Sequence, residues 1–343
     1  MATARDDSVC VCIAAYNAER TIARAVASAL AQAHVTEVVV VDDASTDGTA
    51  SAARGGDDGS GRLAVIVQER NGGPSVARNA ALASSRAAIF CVLDSDDYFL
   101  PERVSRLLAA DRGDWDFIAD DILIVPESLA QTHAHMISDE PPRVVATLDL
   151  STFVLSNISH PRRPRAELGF LKPLMRRRFL DQHNLRYEPG LRLGEDYARY
   201  VRALMAGAKF KVASFYGYVA VERSTSLSAV HKAADLAAIG AFDEATAETP
   251  ALDSNARKAL AAHARATADK WALAHALEIR RKQGIGAALR FLAGQPARIP
   301  YVASEIARAK SARIGHLLGG DENARRGQPE IRRLIGEKSI GLV

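Results

Sequence analysis

Two apolar runs in the first hundred residues end in carboxylates. Val38-Val39-Val40-Val41 leads into Asp42-Asp43-Ala44-Ser45-Thr46-Asp47-Gly48, and Ile89-Phe90-Cys91-Val92-Leu93 leads into Asp94-Ser95-Asp96-Asp97. The alternation Asp94-x-Asp96 offers two hard oxygen donors to one divalent cation. Mg²⁺ and Mn²⁺ favour such donors and are often shared with substrate phosphates. Two further polar clusters follow apolar runs: Ala15-Tyr16-Asn17-Ala18-Glu19, and Asn71-Gly72-Gly73-Pro74-Ser75-Val76-Ala77-Arg78-Asn79. The glycines of the latter let backbone approach a ligand closely. Farther on, Gly194-Glu195-Asp196-Tyr197 places a carboxylate pair at the start of a helical pattern. A carboxylate there can take the proton of an attacking hydroxyl, although acidic residues also suit a helix N-terminus on electrostatic grounds alone. Taken singly, each acidic loop also fits a helix cap or a solvated turn.

The elements that must hold these residues alternate. The sequence predicts strands at Val9–Ala14, Val38–Val41, Leu63–Val67 and Ile89–Leu93. Helices are expected over Glu19–Gln32, from Ser45-Thr46-Asp47 to about Arg54, from Pro74 to Ser85, and from Pro101 onward. Continuous apolar strands alternating with helices indicate a parallel sheet buried on both faces. In such a sheet the polar clusters fall side by side at the carboxyl edge, where ligands bind. Trp115–Val125 adds a strand interrupted by Asp120-Asp121, and another helix is expected from Gly194 through Met205. Residues 126–165 give no clear pattern. From about Asp235 the composition turns to alanine, arginine and leucine with helical spacing. The expected division is therefore 1–235, the sheet domain, and 236–343, a helical basic region.

With 343 residues, 48% apolar and 25% charged, the chain has an ordinary globular composition. Its net charge of +3 hides an asymmetry. Residues 255–343 carry 17 Lys/Arg against 7 Asp/Glu, and the rest of the chain is net acidic. Cys10, Cys12 and Cys91 lie in apolar strand patterns and read as buried free thiols. The N-terminus lacks a signal-peptide apolar core, and no uncharged apolar stretch reaches the ~18 residues of a spanning helix. The basic tail carries Trp271, Leu273, Leu277, Phe291, Leu292, Ile299 and Tyr301 among its arginines. It fits either a helical cap or a peripheral contact with an anionic membrane surface. No nucleic-acid-binding module or stacking platform is recognisable.

In combination and order, the clusters resemble the family 2 glycosyltransferases of the GT-A fold. The resemblance rests on Ala14-Ala15-Tyr16-Asn17, Val41-Asp42-Asp43-Ala44-Ser45, Asn71-Gly72…Ala77-Arg78-Asn79, Asp94-Ser95-Asp96-Asp97 and Gly194-Glu195-Asp196, and covers roughly residues 8–235. Ala14 stands where proline is usual and Ala44 where glycine is usual. The resemblance implies a GT-A type nucleotide-binding mixed sheet flanked by helices, followed here by the C-terminal helical extension. It implies that Ala15, Tyr16, Glu19, Asp42, Asp43, Gly72, Arg78, Asp94, Ser95 and Arg223 hold the donor nucleotide. It further implies Asp94 and Asp96 as ligands of Mn²⁺ or Mg²⁺, and Asp196, with Glu195 beside it, as the base. Gly169–Leu180 also resembles the family, and its arginines are expected on a solvated helix face in preference to a phosphate contact. His231 is a candidate third metal ligand.

The overall pattern is similar to rhizobial succinoglycan-type exopolysaccharide glucosyltransferases. That likeness implies a UDP-sugar donor, UDP-glucose foremost, a glycan acceptor on a polyprenyl diphosphate, and the cytoplasmic face of the plasma membrane. Two alternatives share the nucleotide-binding sheet: a sugar-1-phosphate nucleotidyltransferase and a non-catalytic nucleotide-sugar-binding scaffold. The first loop, Ala14–Glu19, has no glycine to cradle a triphosphate, which weighs against the former. Oligomeric state is not legible.

Overall fold

The computed structural model describes residues 6–111, 113–130, 141–159, 167–222, 232–317 and 331–336. The chain divides into two compact units, Met1–Arg223 with Ile331–Val343, and Ser224–Glu330.

The first unit is built on one mixed sheet. β1 (Val9–Ala15), β2 (Val35–Asp42), β3 (Leu63–Val67) and β4 (Ile89–Val92) pair in parallel in the order β3-β2-β1-β4. Val9–Ile13, Val38–Val41 and all of β4 are buried, as their unbroken apolar sequences require. The crossovers are α1 (Ile22–Leu30), α2 (Thr49–Gly55) and α3 (Pro74–Ser84). α2 starts later than expected, because Asp47 accepts from Thr49 N–H (3.0 Å) just ahead of the first turn. The register sets Ala15 beside Asp42 and Asp42 beside Val67, so the polar clusters after β1, β2 and β3 share one edge. Cys10, Cys12 and Cys91 are buried free thiols, and burial pushes Cys10 and Cys91 up to about 12.

Beyond β4 the sheet reverses. β5 (Tyr98–Phe99) and α4 (Arg103–Ala110) precede β6 (Phe117–Pro126), β7 (Val144–Leu148) and α5 (Leu150–Ser156). β8 (Leu174–Arg176), α6 (Arg177–Gln182), α7 (Glu195–Met205) and β9 (Phe210–Glu222) follow. β8 joins the halves, antiparallel to both β4 and β6. β9 runs parallel to β6, and β5 and β7 pair with its other edge. The Asp120-Asp121 interruption in β6 has two uses. Asp120 meets Arg103 at 2.7 Å with both side chains wholly buried. Asp121 accepts from Ile335 N–H (2.9 Å) and Gly336 N–H (3.2 Å). These bonds catch the returning strand β10 (Arg332–Arg333), which pairs with β6. Residues 331–336 thus lie with the sheet, a departure from the expected division of the chain.

The second unit contains α8 (Ala233–Ala247), α9 (Ser254–Gln283), α10 (Ile285–Ala293) and α11 (Ile299–Leu317). Asp253 caps α9 by accepting from Asn255 and Ala256 N–H, both at 2.8 Å. α8 and α9 pack through Leu236, Ile239, Ala256, Ala259 and Leu260, with a buried His263–Asp243 contact of 2.6 Å between them. No helix among the described residues is long and apolar enough to cross a membrane.

Candidate active site

At the sheet edge, carboxylates hold backbone. Asp43 accepts from Gly72 N–H at 2.7 Å and Gly73 N–H at 2.8 Å, while Asn71 Nδ2 donates to the Asp43 carbonyl at 3.2 Å. One buried aspartate therefore shapes the whole glycine loop. Gly73 has φ +83°, a conformation that favours glycine, and Pro74 then opens α3. Asp42 accepts from Ser45 N–H at 2.9 Å. Glu19 accepts from Gly48 N–H at 3.1 Å, and Asn17 Oδ1 from Thr46 N–H at 2.8 Å. The first and second loops are thus laced together. Ala44 lies in the left-handed region at φ +58°, the geometry a glycine there would adopt without strain. Ala15 is buried, whereas Tyr16 leaves 48% of its surface exposed.

The second cluster is made of charges. α3 carries Arg78 inward, where its guanidinium contacts Glu195 at 2.7 Å, Asp94 at 2.9 Å and Asp196 at 3.2 Å. Lys172 Nζ contacts Asp196 at 2.7 Å and Asp94 at 3.0 Å. Tyr187 donates its hydroxyl to Asp196 at 3.1 Å. Two buried cations thus join the carboxylate after β4 to the pair that opens α7. Gly194, φ +73°, makes the turn that starts this helix. The helix is seated by Tyr197 stacked on Phe153 and by Tyr200 packed edge-on against Phe117 and Phe210. Asn79 fixes the preceding segment by exchanging two bonds with Tyr187 backbone, 2.7 and 2.8 Å. Arg199, also buried, lies 4.1 Å over the Tyr187 ring, and none of its guanidinium nitrogens has a hydrogen-bond partner among the described residues.

Burial disfavours every charge in this cluster, and the partners outweigh it unevenly. Burial alone would raise Asp94, but Lys172 and Arg78 pull it down to about 2. Asp196 is likewise lowered, by Arg78 and Lys172 against burial. Lys172 is raised despite burial by Asp196 and Asp94. Glu195 goes the other way: burial raises it, and Arg78 only partly opposes. Asp97 is raised by burial and by Asp96 and Asp94, and accepts from Tyr218 hydroxyl (2.7 Å) and Val221 N–H (2.8 Å).

The structure therefore brings Arg78, Asp94, Glu195 and Asp196 into one cluster and Glu19, Asp42, Asp43 and Gly72 into the adjoining loops. Ser95 and Asp96 are half-buried beside Asp94, and Arg24 donates to the Asp96 carbonyl at 2.8 Å. Arg223 and His231 lie outside the described residues. Lys172 and Tyr187 were not anticipated. A lysine inside the apolar run Phe170-Leu171-Lys172-Pro173-Leu174 was the available signal, since a lone charge there needs a buried partner. The arginines of Gly169–Leu180 are not a solvated face. Arg176 is buried 4.0 Å over the Trp115 ring, Arg177 donates to the Ala87 and Leu82 carbonyls, and Arg178 is exposed.

Residues 10–166 match the model of Glycosyl transferase family 2. The succinoglycan biosynthesis protein ExoU of Rhizobium meliloti is 44% identical over 98% of this chain and 97% of its own length. The chain belongs to glycosyl transferase family 2. ExoO of the same organism, another succinoglycan biosynthesis protein, is 35% identical over 89% of this chain and 87% of its own. Among solved structures, S. aureus TarS 1–349 in complex with UDP-GlcNAc superposes with a TM-score of 0.61. It is 21% identical and covers 86% of this chain and 83% of that one, a likeness of fold. This glycosyltransferase accordingly has the mixed GT-A-like sheet expected of its family.

Proposed function

We propose that the protein transfers a hexose, glucose foremost, from a UDP-sugar to a hydroxyl of a growing exopolysaccharide oligosaccharide, with inversion at the anomeric carbon. The near-full-length likeness to ExoU supports a place in succinoglycan-type synthesis. The observation that carries the chemistry is the pair of cations, Arg78 and Lys172, tying Asp94 to Glu195 and Asp196. Asp94 follows β4 at the donor edge, and the glutamate–aspartate pair opens the helix beyond it. The acceptor is a glycan carried on a polyprenyl diphosphate, reached from the cytoplasmic side of the plasma membrane.

In this reading the acceptor hydroxyl gives its proton to Asp196 as its oxygen bonds to the anomeric carbon. The carbon–oxygen bond to the diphosphate breaks, and UDP leaves with that electron pair. Arg78 and Lys172 keep Asp196 ionised and fixed. Tyr16, Glu19 and the loop held by Asp43 line the nucleotide side, with Arg223 as a further donor contact. Among the described residues, no three His, Cys, Asp or Glu side chains gather as a closed metal cage. The carboxylates present fit an open site instead, in which one protein ligand is completed by diphosphate oxygens. Asp96 is the ligand we assign. Asp94, expected to share the metal, has its two oxygens on Arg78 and Lys172 and serves to anchor them. Bound Mn²⁺ or Mg²⁺ would supply positive charge to the departing diphosphate.

The test separates the two carboxylates. Asp196→Asn should lower transfer by about 10²–10⁴-fold and leave UDP affinity, read by calorimetry, nearly unchanged. Asp96→Ala should lower transfer by about 10²-fold or more and flatten its dependence on added Mn²⁺. Loss of UDP binding in Asp196→Asn would make that residue part of the nucleotide site or of folding instead.

A further inference from the structure

The helical unit has an apolar corner that its own packing leaves outside. α9 and α10 meet at Gly284, which turns the chain at φ +86°. α10 buries Ala288 and sets Phe291 edge-on to Trp271 and His275 of α9, with ring centroids at 5.7 and 4.9 Å. The stripe away from this contact carries Ile285 and Leu289, one turn apart and 62% and 59% exposed. Scattered exposed leucines mean little, but two on one turn of a helix otherwise packed on its other face form a coherent patch.

The exposed charges on the last turn of α9 and on α10 have one sign. Arg280, Arg281 and Lys282 fill the last turn of α9 and are exposed, Arg290 follows Leu289, and α10 holds no acidic residue. Three charged contacts of the unit lie elsewhere, at Asp269–Arg298, Glu305–Arg308 and Asp243–His263, and the one at the corner joins half-buried Glu278 to His275 at 3.9 Å and involves none of these four basic residues. A second copy of the same surface would bring like charges together. An apolar wedge ringed by long basic side chains instead matches a bilayer interface: apolar groups enter the acyl boundary while the cations reach up to anionic headgroups.

We infer that the α9–α10 corner is a docking surface for an anionic membrane, with Ile285 and Leu289 as the wedge and Arg280, Arg281, Lys282 and Arg290 as the headgroup contacts. This deepens the membrane-side placement of the proposed transferase but rests on the helical unit alone. Its experiment contains neither donor nor acceptor, so its failure leaves the sugar-transfer reading standing.

The full-length protein is mixed with phosphatidylcholine vesicles, with and without about a third phosphatidylglycerol, and bound protein is measured by co-flotation. Binding is expected only to the anionic vesicles and is expected to fall as salt rises. Arg281→Glu/Lys282→Glu should weaken it by about thirtyfold or more, taking each basic residue at the surface to contribute about fivefold. Ile285→Ser/Leu289→Ser should weaken it as well, with unchanged circular dichroism and unchanged UDP binding. The two variants alter exposed side chains by opposite means, so a folding defect in one leaves the other to decide. Equal binding to neutral vesicles, no binding to either kind, or full binding by both variants would overturn the inference. So would a wild-type oligomer that becomes monomeric in Ile285→Ser/Leu289→Ser, which would make the corner a self-association surface.

Discussion

Asp42, Asp43, Asp47 and Glu19 accept backbone N–H groups, whereas Asp94, Glu195 and Asp196 accept from a guanidinium and an ammonium group. The two groups of carboxylates belong to one sheet edge and do different work. The first set converts side-chain charge into loop shape. Its partners are fixed in the covalent chain and cannot be exchanged for a ligand without refolding the loop. The second set holds side-chain cations in a buried cluster, and in the proposed reaction a diphosphate or an acceptor hydroxyl would compete for the same donors. A folded loop needs the former kind of carboxylate, and a reacting centre needs the latter.

Removing Lys172 is the severest way to break this contrast. Lys172→Met leaves Asp94 and Asp196 with Arg78 as their remaining cation among the described residues, shared with Glu195, while Asp196 keeps the Tyr187 hydroxyl. Breaking a buried pair on one side costs about 3–5 kcal/mol, and transfer should drop by about 10²-fold or more. The sign of the pH effect is fixed by the geometry. Asp196 is held below its ordinary value partly by Lys172, so it is ionised across the neutral range and its pairing contributes stability that is lost only as pH falls through that depressed value. Without Lys172 the depression shrinks, and the acidic limb of the kcat profile should move to higher pH. An unmoved limb in a folded Lys172→Met protein would show that Lys172 does not govern the base.

Asp43→Ala tests the other side of the comparison. It strands the Gly72 and Gly73 N–H groups that the carboxylate now satisfies. Leaving buried donors unpaired costs about 1–3 kcal/mol. The loss should appear in thermal unfolding and in UDP affinity together, with the pH profile of kcat unchanged. A shifted profile with normal UDP binding would mean that Asp43 acts on the reacting centre and not on the loop.

The same contrast explains what the sequence made legible. Asp42 and Asp43, and Asp94 of the other set with them, sit one or two residues past unbroken apolar runs, so β1 to β4 and their polar ends could be read from local pattern. The far half could not. β5 and β8 are two and three residues long, too short for any periodicity, and exist because β9, β4 and β6 offer them edges. β9 is a long strand whose exposure alternates only in part. Glu195 and Asp196 were visible as a pair at a helix start, but Lys172 and Tyr187 were not. Their role depends on side chains meeting across elements, and one sequence carries no record of that meeting. The return of Arg332–Arg333 to β6 was hidden for the same reason, with Asp121 as its only local trace.

The smallest expected effect concerns the shape of the second loop and sharpens the comparison at its most local. Ala44 holds φ +58° between Asp43 and Ser45, where both neighbours are engaged in loop-forming bonds. An L-residue in that region costs about 1–2 kcal/mol, and glycine removes the cost while giving back about 0.4–1 kcal/mol of unfolded-chain entropy. Ala44→Gly should therefore stabilise by somewhat under about 1 kcal/mol, a rise in Tm of roughly 2–3 °C for a unit of this size. Transfer and UDP affinity should stay at the wild-type level, because the residue supplies backbone geometry and no reacting group. A fall in Tm would mean that the Ala44 methyl packs better than its backbone strain costs. A fall in UDP affinity without one would mean that the loop is held in shape by the alanine itself, and that the lacing by Asp42, Asn17 and Glu19 is not sufficient.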